Sequence, residues 1–147
     1  RKNKKEDGIL VSQKVLLTWL IESEEIFHQI EKYITPEDFS EGLFRKVAEL
    51  LYEQYEKHEA NPAQIMNHFT DEEEHREVAG LFHTKIKELT TVKEQEKALQ
   101  ETILRVKEHS IEEATKNLDP TDIQGLQRLM NEKRKMQDLR TLHISIN

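Results

Sequence analysis

The chain has no cysteine among its 147 residues. That removes disulfides, thiolate nucleophiles and thiolate metal sites together, and it fits a reducing compartment. Glycine and proline are scarce, at 4 and 3 residues, and aromatic residues make up 6%. The glycines stand at 8, 42, 80 and 125, too scattered for a phosphate-cradling loop or a nucleophile elbow. No apolar run approaches the ~20 residues that cross a bilayer, so no membrane association is expected. Strand-like alternation, low-complexity tracts and repeats are absent as well. The opening "RKNKKEDG" does not have the form of a secretory signal and reads as the end of a linker.

What is present is charge, 35% of the chain, in the balance of a helix-rich protein of one ordinary domain. Residues 1–90 hold 12 Lys and Arg against 19 Asp and Glu, whereas residues 91–147 hold 10 of each. Four of those 12 cations are Arg1, Lys2, Lys4 and Lys5, which leaves the rest of the first segment more acidic still. Sustained contact with phosphates needs a cationic stripe. None is offered, so direct nucleic-acid binding is not expected.

Apolar spacing predicts an all-α fold. Val15, Leu16, Trp19 and Leu20 mark a first helix with Ser12 as its cap, and Ile26, Phe27, Ile30 and Ile34 mark a second. Thr35 and Pro36 restart the chain in a single turn ending at Phe39. Ser40 is placed to cap the next helix, whose wide face holds Leu43, Phe44, Val47, Leu50, Leu51 and Tyr55. Asn61 and Pro62 open a short helix through Phe69, and Thr70 with Asp71 to Glu74 opens another whose inner face is Val78, Leu81 and Phe82.

A longer helix is expected from Val92 to Asn117. Its broad face, Leu99, Ile103 and Val106, gives way to a narrow seam of Leu104, Ile111 and Leu118, seven apart. Asp119 and Pro120 break it, Thr121 is the expected cap, and a last helix carries Ile123, Leu126, Leu129, Met130, Met136 and Leu139. The expected organisation is a linker end at 1–8, a helical bundle at 9–105 and an antiparallel helical hairpin at 106–147. Two helices of that length cannot bury all these apolar side chains on one another, so a strip beside "NEKRK" is expected to remain for a partner.

The pattern argues against an enzyme, and no catalytic, cofactor or metal residue is assigned. Of the seven histidines none has HExxH spacing. His109 and Glu113 share a helix face, but a metal needs a third converging ligand. Trp19 lies on the apolar stripe, as a core residue would.

The stretch "YITPEDFSEGLFRKVAELLYEQY" resembles the turn-Phe-helix segment of the N-terminal domain of bacterial replicative (DnaB-type) helicases. It resembles still more the C-terminal helicase-binding domain of bacterial DNA primase (DnaG-type). "SQKVLLTWLIESEEIFHQI" looks like that family's first helical pair, and "LQRLMNEKRKMQDLR" like its closing helix. The resemblance implies a bundle like the helicase N-terminal domain followed by a docking hairpin, with primer synthesis and zinc binding carried by upstream domains. It implies a single main partner, the N-terminal domain of the DnaB-type helicase, in the bacterial cytoplasm, with weak self-association plausible through exposed seams. The candidate partner-binding residues are Ile111, Leu118, Ile123, Leu126, Met130, Lys133 and Arg134. The same spacing also allows Leu126, Leu129 and Met136 to close the seam, and Lys133, Arg134 and Lys135 to be solvated charge. Two other readings stay open: the helicase N-terminal domain itself, and a nucleic-acid-binding module using the basic tail and "NEKRK".

Overall fold

The computed structural model describes residues 4–83 and 91–146. Among them the fold is all-α: α1 (Lys4–Glu22), α2 (Glu24–Ile30), α3 (Leu43–Glu56), α4 (Glu72–His83), α5 (Val92–Lys116) and α6 (Ile123–Thr141). Two 3-10 segments, Pro36–Asp38 and Pro62–His68, connect α2 to α3 and α3 to α4. Arg1 and Lys2 of the basic tail lie outside the described residues.

α1 begins eight residues before the expected cap. Ser12 is therefore interior, and its hydroxyl donates to the Gly8 carbonyl at 3.0 Å, the back-bond typical of serine within a helix. Ser40 does not cap α3 either. Its backbone N–H donates to Gln13 Oε1 at 3.0 Å and its hydroxyl accepts from Gln13 Nε2 at 2.8 Å, which clamps α1 to the Pro36 segment. The cap position of α3 is Gly42, at φ 117 and ψ −140, a conformation nearly closed to other residues. Gly42→Ala meets no neighbouring atom, so any loss is backbone strain. We expect about 1–3 kcal/mol in chemical denaturation, without change of fold.

The core forms where α1, α2, α3 and α5 converge. Leu16, Leu17, Leu20, Ile26, Ile30, Val47, Leu51 and Val106 are fully buried, and Trp19 is buried beside them. Phe27 lies at its centre, with ring centroids 4.8 Å from both Tyr52 and Tyr55. The tyrosine hydroxyls donate to the carbonyls of Ile34 (2.7 Å) and Leu20 (2.6 Å), so neither buried polar tip is unpaired. Burial raises both phenols, Tyr55 to about 12.

α5 and α6 are antiparallel. Lys107 meets Glu132, while Gln100 donates to the carbonyls of Leu139 and Leu142, so residue numbers fall on one helix as they rise on the other. The expected boundary at 105/106 falls inside continuous α5. Moreover, Leu139 and Ile144 join the same core as Leu16, and Gln29 makes two hydrogen bonds of 2.8 Å to the backbone of Ser145. The base of the hairpin is thus stitched into the bundle.

Candidate partner-docking surface

The hairpin turn is built from side chains that bond their own backbone. Asp119 accepts from the N–H and hydroxyl of Thr121 at 2.9 and 2.8 Å, and these bonds hold its carboxyl below the usual range. Asp122, not Thr121, caps α6 by accepting from Gly125 N–H at 2.9 Å. Thr121 is spent on the preceding turn. A Cβ at Gly125 would come 2.5 Å from Asp122 Oδ2 and 2.8 Å from Leu118 Cδ1, so both side chains would have to shift to admit one.

The rotation of α6 follows from which residues it turns inward. Gly125, Leu129, Met136 and Leu139 are buried and Glu132 is half-buried, a row with steps of four, three, four and three that faces α5. Ile123, Leu126 and Met130 fall on the opposite side, 69%, 39% and 63% exposed. One turn further along that side stand Lys133 and Arg134, both exposed. Neither has an ion-pair partner among the described residues, whereas the adjacent Lys135 binds Glu132 at 3.0 Å. The outward side of α6 therefore carries the apolar residues Ile123, Leu126 and Met130, with the exposed Gln127 among them, followed by two cations in the next turn.

Five of the seven candidate residues share this face. Ile111 and Leu118 do not: they are half-buried on the inner side of the hairpin and line a cleft of about 1190 Å³ between it and the Pro36 segment with α3. Of the residues that had two readings, Leu129 and Met136 close the seam and Leu126 lies largely outside it.

At the base of that cleft is a cluster that sequence reasoning missed. Lys107 is wholly buried and donates to both oxygens of Asp38 at 3.2 Å and to Glu132 Oε1 at 2.6 Å. Asp38 also accepts from Ser110 Oγ (2.7 Å) and from Thr35 N–H (2.8 Å). Burial pushes the Glu132 carboxyl upward, but hydrogen bonds and charge from Lys107 and Lys135 outweigh it and hold the group low. A signal existed: Lys107 sits four residues after Ile103, on the stripe of α5 that faces the core.

His109 lies 3.7 Å from Glu113, and among the described residues no three His, Asp or Glu converge as a metal site would require. No described helix is long and apolar enough to cross a membrane. No family model, curated protein or solved structure matches this chain.

Proposed function

We propose that this chain is a docking module that holds a primase of the DnaG type on the ring of a DnaB-type replicative helicase, in the bacterial cytoplasm. The observation that carries the reading is the outward face of α6: Ile123, Leu126 and Met130 exposed in one row, leading to the cations Lys133 and Arg134, which have no ion-pair partner among the described residues. A helix face with apolar residues at i, i+3 and i+7 is a form that partner helices recognise. The three stretches that resemble the primase domain span the bundle and this helix, and they supply the identity of the partner.

The module needs no chemistry of its own. Tethering an enzyme to a ring that moves along DNA raises its effective concentration at freshly exposed template. Shifting the ring between conformations would require different affinities for its states. As exposed cations beyond the apolar row, Lys133 and Arg134 would act on association and orientation more than on residence time.

Charge reversal of Lys133 and Arg134 together is expected to weaken binding to the helicase N-terminal domain about tenfold, chiefly through a slower on-rate that converges with wild type at high salt. The melting transition should hold within about 0.5 kcal/mol. Equal affinities in a surface-based titration at low salt would remove both residues from the site. Deleting residues 106–147 is a poorer test, because it also removes Val106, Leu139 and Ile144 from the core.

A further inference from the structure

The Lys107 cluster joins three elements at one point: Asp38 from the Pro36 segment, Lys107 and Ser110 from α5, and Glu132 from α6. With Lys135 included, two cations face two carboxylates. Asp38 and the Lys107 ammonium are sealed, with side chains 3% and 0% exposed, while Glu132 keeps 29% of its side chain in contact with solvent. Asp38 therefore stays satisfied by Lys107, Ser110 and Thr35 whatever α6 does, and the Lys107–Glu132 contact is the one that water can replace.

The position of this contact along α6 matters. On one side of it, Leu139, Leu142 and Ile144 pack on the core, Gln100 holds the carbonyls at the end of α6, and Gln29 holds Ser145. On the other side, residues between 111 and 131 face the Pro36 segment and α3 across the cleft. The exposed row of Ile123, Leu126 and Met130 is carried on that part of the hairpin.

We propose that Lys107 and Glu132 form a latch that fixes the direction of the hairpin tip, and with it the α6 docking face, relative to the bundle. Glu132 is a positioning residue: it holds α6 from the seam side while the opposite side meets the partner. With the latch closed, the docking face has one orientation. With it open, the stitched base of α6 remains and the tip samples several. The consequence for binding rests on the docking reading above, but the latch itself is measurable without any partner.

The absence of cysteine makes the test direct. Spin labels on Glu53→Cys in α3 and Gln127→Cys in α6, both exposed, report the distance between bundle and tip. In the parent protein a single narrow distance distribution is expected. Adding Glu132→Ala should broaden it, and hydrogen exchange over residues 123–131 should rise at least tenfold while residues 16–20 and 47–51 keep their protection. An unchanged distribution would overturn the latch. So would an equal loss of protection in tip and core, which marks a general structural role.

Glu132→Gln, which keeps the side chain's shape and removes its charge, should give an intermediate breadth; a distribution as narrow as the parent's would show that the charge is not what holds α6. Titration of the helicase N-terminal domain is the separate arm. A fall in affinity for Glu132→Ala supports positioning, and parent-like affinity despite a broadened distribution overturns it. If the parent itself does not bind, the docking reading fails while the distance measurement still decides the latch.

Discussion

Phe27→Ala is expected to destabilise the protein by about 3–5 kcal/mol in chemical denaturation, the range for removing a fully buried aromatic side chain. Phe27 is 1% exposed and packs between Tyr52 and Tyr55, whose hydroxyls are fixed to carbonyls on α1 and just past α2. Those anchors prevent the tyrosines from collapsing into the space left behind, which places the loss toward the upper part of the range. Phe27→Leu, which refills most of the volume, should recover roughly half of it. A loss below about 1 kcal/mol for alanine would show that the core relaxes freely and that the hydroxyl anchors carry little.

Lys107→Met is the second large effect. Two carboxylates would be left facing a thioether, and a buried pair broken by removing one partner costs about 3–5 kcal/mol when the remaining charge stays buried. Asp38 keeps Ser110 and Thr35 N–H, but among the described residues Glu132 keeps Lys135 alone. If α6 swings outward and Glu132 hydrates, part of this cost is relieved. The observed loss should then fall below 3 kcal/mol, with most of the lost exchange protection confined to the hairpin tip. Adding Glu132→Gln to Lys107→Met should recover part of the loss, since one of the stranded charges is gone. A double variant no more stable than the single one would contradict the cluster's assignment.

The order and faces of the helices were legible because apolar residues recur at helical spacing over long stretches, as in Leu43 to Tyr55 and Leu99 to Val106. The Pro36 turn and the antiparallel return after Asp119 were legible from local proline and capping signals. Helix starts were less so. Ser12, Ser40 and Thr121 are all chemically able to cap, yet each spends its hydroxyl elsewhere: on Gly8, on Gln13 and on Asp119. The caps fall instead to Gly42 and Asp122, one or two residues away.

The surplus of apolar residues on α6 was legible in the sequence, and the surface they form was not. Sequence spacing shows that α6 has more apolar residues than one seam can take. It does not show how α6 is rotated. In the structure that rotation places Gly125 against Leu118 and brings Glu132 to Lys107. It turns Leu129 and Met136 inward and leaves Ile123, Leu126 and Met130 exposed. The ion cluster stayed hidden because its members are separated by 69 and 25 residues along the chain. Neither distance carries a local signature.

The central claim is that the outward face of α6 docks on a DnaB-type helicase. The most direct measurement is a calorimetric titration of the helicase N-terminal domain with the parent chain and with an Ile123→Asp, Met130→Asp double variant. Both positions are exposed, so the variant should fold and melt as the parent does. Central interface anchors carry about 2 kcal/mol or more each, so a loss of at least a hundredfold in affinity is expected. Parent-like binding by the variant, or no binding by the parent, would contradict the claim.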